Sequence, residues 1–306
     1  MTETELIQKL TAELDSDSSV LIGPGDDCAV IELGGQKLLF KTDAIVEDIH
    51  FTGDTPPEKI GRKAMARAFS DIAAMTGTPT HALVTLGLCE KHKSAFVEKI
   101  FKGLRDIAAE YNVNIVGGET TTLPKLTLSI SLLGTCFKPI LRNGSQPGDA
   151  IFVTGEVGGS IIRHHLEFTP RIKEAHWLAE NFDLHAMIDL SDGLATDLRH
   201  LLHKNRGAEI LTKTLPVRRE ARLLAKENPS GKTALLAALT DGEDYELLFT
   251  VAAKHAVTLL DDWNLQFPET SLKCIGKITD KSGITLRDDK GIKPLTIHGY
   301  DHLQQS

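Results

Sequence analysis

No stretch of this chain is apolar for long enough to cross a membrane as a helix. The start, M-T-E-T-E-L-I-Q-K-L, is acidic and helix-like, without the basic segment and apolar stretch of a secretory signal. No membrane partner is expected. The four cysteines, Cys28, Cys89, Cys136 and Cys274, form no C-x-x-C pair and no metal-type spacing. They read as buried or free thiols of a reducing cytosol, so the expected location is cytoplasmic. There is no long basic run, and the net charge is −8. That speaks against nucleic acid or an anionic membrane as the main partner. It leaves a phosphate substrate open, because bound Mg²⁺ would reverse the local sign. No G-x-x-x-x-G-K-[ST] occurs, which excludes a P-loop. Short-period repeats and low-complexity tracts are also absent.

What is present is acid, in short clusters beside glycine or small polar residues. The clusters are G-P-G-D-D-C (Gly23–Cys28), K-T-D (Lys41–Asp43), F-S-D-I-A-A-M (Phe69–Met75) and V-G-G-E-T-T (Val116–Thr121). Two more follow, D-L-S-D-G (Asp189–Gly193) and D-G-E-D-Y-E (Asp241–Glu246). Most come after an apolar run with strand character, which places the carboxylates at strand ends and loop starts. Converging carboxylates repel one another unless cations sit among them. Mg²⁺ characteristically takes one or two carboxylates plus substrate phosphate oxygens. The pattern therefore points to a multi-metal phosphate-handling site.

A length of 306 residues suggests about two domains. A short amphipathic helix is expected near Thr4–Leu14. Strands are expected at Ser19–Ile22, Cys28–Leu33, Lys37–Thr42, Thr80–Cys89, Asn114–Val116 and Leu126–Thr135. Pro56 and Pro57 open a helix with Ile60, Ala64, Ala68, Ile72 and Met75 at helical spacing, and Asp71 borders that buried face. Ser94–Tyr111 forms a second helix. The turn-rich R-N-G-S-Q-P-G-D within Phe137–Asp149 marks a boundary, giving domains 1–137 and 138–306. Beyond it, strands are expected at Ala150–Thr154, His185–Leu190 and Tyr245–Ala252, with hairpin material over Ser271–Ile278 and Gly283–Arg287. A helix follows D-L-S-D-G, with Ser191 or Asp192 as its N-cap. Helices and strands alternate without the regular βαβ spacing of a doubly wound sheet, so the class is α/β with mixed, α+β-type sheets.

Each motif alone also has a plain reading. Gly117-Gly118 in isolation reads as a simple tight turn before it reads as a phosphate cradle. His50 fits a satisfied, partly buried histidine, Tyr111 a core residue, Arg142 a solvated charge and Asp192 a helix cap.

Together the clusters resemble the thiamine-monophosphate kinase family, in its order and over nearly the whole chain. The residues that carry this are G-P-G-D-D-C-A-V, K-T-D-A-I-V-E-D-I-H-F, F-S-D-I-A-A-M-T-G-T-P, V-G-G-E-T-T, R-N-G-S-Q-P-G-D, I-D-L-S-D-G-L and D-G-E-D-Y-E-L. The family lies within the aminoimidazole ribonucleotide synthetase-like superfamily. The resemblance implies ATP-dependent phosphorylation of thiamine monophosphate to thiamine diphosphate, with several Mg²⁺ ions. It implies an N-terminal ATP- and Mg-binding domain that pairs with its copy in a homodimer, and a C-terminal α/β domain that completes the active site. Carried over by motif, Asp27, Lys41, Thr42, Asp43, Asp71, Glu119, Asp189 and Asp192 would serve the metal ions. Lys41 could do so only through its backbone carbonyl. Tyr111, Gly118, Glu119, Arg142 and Ser191 would contact ATP. His50 and Glu243 would contact the thiamine phosphate, and Ile297 stands where the family often has an aromatic residue. Glu119 replaces the usual aspartate, and Gly158–Pro170 is short for the family. No general base is expected, because a phosphate nucleophile is already anionic near neutral pH. Two other classes remain open: a synthetase-like ligase of the same superfamily, and a non-catalytic metal- or nucleotide-binding protein.

Overall fold

The computed structural model describes residues 2–202 and 205–300. Its elements begin α1 (Glu3–Thr11), β1 (Val20–Ile22), β2 (Ala29–Leu33), β3 (Gln36–Val46), α2 (Pro57–Ala74), β4 (Thr78–Leu88), α3 (Ser94–Glu110), β5 (Asn114–Thr122) and β6 (Thr127–Cys136). Then come β7 (Asp149–Thr154), α4 (His164–Glu167), α5 (Ile172–Asn181), β8 (Leu184–Asp189), α6 (Leu194–Leu201), β9 (Gly207–Leu211), α7 (Arg219–Glu227) and α8 (Ala234–Thr240). The last are β10 (Leu247–Ala252), α9 (Ala256–Gln266), β11 (Leu272–Thr279), β12 (Gly283–Asp288) and β13 (Gly291–Pro294). They divide into two units, one of Ser18–Pro139 with Leu166–Ile172, the other of Met1–Asp17, Ile140–His165 and Lys173–Ser306.

The first unit holds a six-stranded sheet in the order β1-β2-β3-β6-β4-β5. Only β4 and β5 run parallel. Residues alternate between faces along each strand. One face buries Leu39, Ile45, Ala82, Val84, Leu128, Ile130 and Leu132, and α2 and α3 pack on the sheet. Helix α2 starts with Pro57 at a position where a missing N–H is harmless. It buries Ile60, Met65, Phe69 and Ile72. Two glycines let α2 and α3 touch backbone to backbone: a Cβ on Gly61 would lie 2.0 Å from the Ile100 carbonyl oxygen, and one on Gly103 1.9 Å from that of Glu58.

The second unit holds a seven-stranded sheet in the order β13-β12-β9-β11-β7-β10-β8, with β9 and β12 its parallel pair. Its core gathers Ile151, Val153, Ile188, Leu248 and Ile275 from the strands with Leu194, Leu198 and Leu201 from α6. Both sheets are mixed, as the α/β class with α+β-type sheets requires.

Three local expectations need correction. Lys41–Asp43 does not end a strand: β3 continues to Val46, because β6 pairs with it along its whole length, from Lys37↔Cys136 to Val46↔Thr127. Gly117-Gly118-Glu119 is not a turn but the middle of β5, paired with Leu83–Thr85 of β4. Neither Ser191 nor Asp192 caps α6. The cap position falls on Gly193 at φ 100°, with no side-chain bond to the helix.

Candidate functional site

In the first unit, strand periodicity puts Lys41 and Asp43 on the α2 side of β3, and helical periodicity brings Asp71 of α2 to face them. Lys41 Nζ lies 2.9 Å from Asp71 Oδ1 and 3.9 Å from Asp43 Oδ1. Arg67 Nε reaches Asp43 Oδ2 at 4.0 Å. Asp27, buried just before β2, brings a carboxylate oxygen within 4.8 Å of one on Asp71. Burial works against the Lys41 charge, but the Asp71 and Asp43 carboxylates hold its ammonium above the ordinary lysine value. Burial also opposes the Asp43 carboxylate, and Lys41 and then Arg67 overcome that, keeping it below the usual range. Asp43 and Asp71 thus share one half-buried ammonium, and Asp27 lies beside Asp71. Lys41 has an unanticipated position here: its side chain is a counter-ion. The donors are hard carboxylate oxygens, which suits a divalent cation such as Mg²⁺.

The other expected residues of this unit are placed differently. Thr42 points to the opposite face of β3, its hydroxyl 3.4 Å from those of Ser129 and Ser131. Gly118 must be glycine, since a Cβ there would lie 1.8 Å from the Val84 carbonyl oxygen. Glu119 is exposed on the edge strand, and its Oε1 accepts from the Thr120 amide at 3.1 Å. His50 Nδ1 accepts from the Val46 amide at 3.1 Å, and its carbonyl accepts from the buried Lys63 ammonium at 2.5 Å. Tyr111 is the C-cap residue of α3, half-buried and edge-on to Phe69 with ring centroids 5.2 Å apart.

In the second unit, Asp189 ends β8 and is buried. Asp192 follows in the loop, where its amide donates to Asp197 Oδ2 at 3.1 Å. Burial raises the Asp197 carboxyl well above its ordinary value, and the neighbouring Asp192 and Asp189 raise it further, while Arg142 opposes them. Asp197 is the residue that motif reading missed. The signal was there: it lies on the apolar stripe of α6, three residues after Leu194 and four before Leu201. Ser191 holds the D-L-S-D-G loop to the D-G-E-D-Y-E loop, its carbonyl accepting from the Glu243 amide at 2.7 Å. Glu243 sits at φ 53°, with Tyr245 Oη and His165 Nδ1 each 3.2 Å from a different carboxylate oxygen. Ile297 packs against the core of this unit, and its carbonyl accepts from Arg199 Nη2 at 2.9 Å.

Comparison with known proteins supports one family. The model of the AIR synthase related protein, N-terminal domain, matches residues 25–136. The chain is 39% identical over 280 residues to the thiamine-monophosphate kinase of Rhodopirellula baltica, covering 88% of this chain and 86% of that protein. It is 33% identical over 309 residues to that of Escherichia coli K12, covering 93% and 92%. It superposes on a structure described as AaThiL complexed with AMPPCP and TMP with a TM-score of 0.85, 30% identity and coverage of 99% and 97%. The hydrogenase maturation protein HypE in complex with ATP matches with a TM-score of 0.69 at 20% identity, a likeness of fold.

Proposed function

The chain belongs to the thiamine-monophosphate kinase family, and we infer that it catalyses the family's reaction, ATP-dependent phosphorylation of thiamine monophosphate to thiamine diphosphate. The observation in the fold that best supports this is the Lys41 ammonium between Asp43 and Asp71, with the Asp27 carboxylate beside that of Asp71.

The roles of individual residues follow from their chemistry. In one unit Asp27, Asp43 and Asp71 would hold Mg²⁺, and in the other Asp189 and Asp192 would do so. Glu119 keeps a carboxylate where the family usually has aspartate and joins them, with the Thr42 and Lys41 backbone as further oxygen donors. Bound Mg²⁺ neutralises phosphate charge and so allows two anionic phosphates to approach. Gly118, whose lack of a side chain lets β5 lie close against Val84 of β4, contacts ATP together with Tyr111, Arg142 and Ser191. His50 and Glu243 contact thiamine monophosphate. A phosphate oxygen of thiamine monophosphate attacks the γ-phosphorus in line. The new O–P bond forms as the bond to the bridging oxygen breaks and ADP leaves. The nucleophile needs no base, so the side chains act by positioning and charge.

The protein acts as a homodimer. The sheet face of the first unit opposite its buried residues leaves Phe40, Leu83 and Val116 exposed, and an apolar face of that kind suits a second copy. Among the described residues no helix is long and apolar enough to cross a membrane. None of the described cysteines forms a disulfide, which fits a reducing cytosol.

The test is turnover of ATP and thiamine monophosphate by the purified protein, with Mg²⁺ and with excess EDTA. Formation of thiamine diphosphate only with the metal is expected. No product in Mg²⁺, or equal product in EDTA, refutes the proposal.

A further inference from the structure

The D-G-E-D-Y-E loop carries four carboxylates, and the structure uses them in two ways. Three turn inward. Asp241 Oδ2 accepts from the Gly159 amide at 2.9 Å. Asp244 accepts from the Gly158 amide at 3.0 Å and from the Ser160 hydroxyl at 2.6 Å. Glu246 accepts from the Thr154 hydroxyl at 2.7 Å. Asp244 and Glu246 are fully buried. These acids bind the turn between β7 and α4 to the loop, and His164 Nε2, 3.0 Å from the Asp244 carbonyl oxygen, adds a tie from α4.

Glu243 is the exception. Its backbone lies in the left-handed region at φ 53°, and that of Tyr245 does too, at φ 50°. For residues with a side chain, such a conformation persists only when the surroundings impose it. The Glu243 side chain keeps 22% of its surface exposed, while its two neighbours are buried. Tyr245 Oη donates to Glu243 Oε1 at 3.2 Å, and His165 Nδ1 faces Oε2 at 3.2 Å. Both oxygens therefore meet a buried polar side chain before any ligand arrives. That is the arrangement of a preorganised acceptor rather than of a solvated surface acid.

We propose that His165 and Tyr245 are positioning residues that fix the Glu243 carboxylate as the acceptor for the cationic, donor-bearing heterocycle of the phosphate-accepting substrate. This rests on the reading that this substrate is thiamine monophosphate. The chemistry selects the heterocyclic end over the phosphate. An ionised carboxylate has no donor to offer and repels a phosphate dianion, whereas it attracts a cationic ring bearing an amino group. ATP recognition is independent of this pair.

The test uses the full-length protein with ATP and Mg²⁺ and compares His165→Ala, Tyr245→Phe and His165→Asn with wild type. Asparagine places an N–H where Nδ1 stands, so it restores the donor. Three quantities are read: KM for thiamine monophosphate, KM for ATP, and inhibition by thiamine, which lacks the phosphate. Loss of a hydrogen bond to an ionised group predicts a rise of about tenfold in KM for thiamine monophosphate for His165→Ala and Tyr245→Phe. The inhibition constant of thiamine rises by the same factor, the KM for ATP stays within about twofold, and His165→Asn recovers most of the loss. Should His165→Ala fail to fold, Tyr245→Phe carries the test, because it removes one oxygen and keeps the ring. Unchanged KM for thiamine monophosphate in both variants overturns the inference, as does an equal rise in KM for ATP. Thiamine that does not compete with thiamine monophosphate in wild type overturns the heterocycle assignment. A wild type that turns over no thiamine monophosphate overturns the functional reading first, and the inference with it.

Discussion

Replacing Lys41 by methionine keeps the apolar stem and removes the ammonium. In the folded chain that ammonium is 2.9 Å from Asp71 Oδ1 and 3.9 Å from Asp43 Oδ1, with 22% of its side chain exposed. Arg67 lies 4.0 Å from Asp43. Without Lys41, Asp71 and its neighbour Asp27 repel each other in a buried space. Removing one partner of a buried ion pair typically destabilises by about 3 kcal/mol. At roughly 2 °C per kcal/mol for a chain of this size, the variant should melt about 6 °C below wild type in EDTA.

Magnesium should reverse the order of effects. A divalent cation at these carboxylates replaces the missing charge, and at a hundredfold excess over its dissociation constant it contributes about 2.7 kcal/mol. In wild type the ammonium competes for the same oxygens, so the gain is smaller. Scanning calorimetry of both proteins, from EDTA into millimolar MgCl₂, reads this directly. The expected outcome is a wide gap in Tm that narrows as Mg²⁺ rises. Equal Tm in EDTA would show that Lys41 compensates nothing. Parallel curves with Mg²⁺ would show that the metal does not bind where the ammonium sits.

Two further outcomes follow from particular carboxylates. Glu119 is exposed on β5, so Glu119→Asp and Glu119→Gln should both melt like wild type. Aspartate should keep substantial turnover and glutamine lose most of it, because a hard cation prefers the charge; kcat for the two variants at saturating Mg²⁺ decides this. Burial pushes the Asp244 carboxyl up to about 7 from its ordinary 3.8, against the Ser160, Gly158 and Arg218 contacts that lower it. The folded protein therefore holds a proton that the unfolded chain has released. This contribution to stability is fully present below the ordinary value and is lost as pH rises through about 7. Asp244→Asn has no proton to lose, so urea unfolding at several pH values should give it a flatter decline across that window than wild type.

The sheet elements were legible because their periodicities were undisturbed. The short apolar run within Lys37–Thr42, set off by the Gly34-Gly35 turn, and the spacing of Ile60, Ala64, Ala68 and Ile72 reappear in β3 and α2. The failures came where pairing across the sheet overrode local composition. Gly117-Gly118 carries turn chemistry, yet the Val84 carbonyl oxygen needs a neighbour with no Cβ, and β4 pairing extends β5 through it. Gly193 took the cap position from Ser191 and Asp192 because Asp197, a turn later, supplies the acceptor for the Asp192 amide. No local motif announces that reversal, in which the loop donates and the helix accepts.

Counting acids overstated how many are free for a metal, and the difference lies in what each carboxylate meets. In D-G-E-D-Y-E, Asp241, Asp244 and Glu246 each accept from an amide or hydroxyl of the turn they hold. Lys232 and Arg218 also face Asp241 and Asp244, so these acids are placed for structure, and Asp244 is pushed toward its protonated form by burial. In K-T-D and F-S-D, Asp43 and Asp71 share a mobile-stemmed ammonium, and Asp43 also faces Arg67. No turn depends on that ammonium, so a doubly charged ion can replace it without breaking one. The sequence KTD alone does not separate these cases, because lysine next to aspartate on one strand normally points to the opposite pleat from the intervening residue. The separation needs α2 to deliver Asp71 to the Lys41–Asp43 side, which depends on the packing of Phe69 and Ile72 into the core. Metal readiness in this fold is therefore a property of helix-on-sheet packing as much as of the acids themselves.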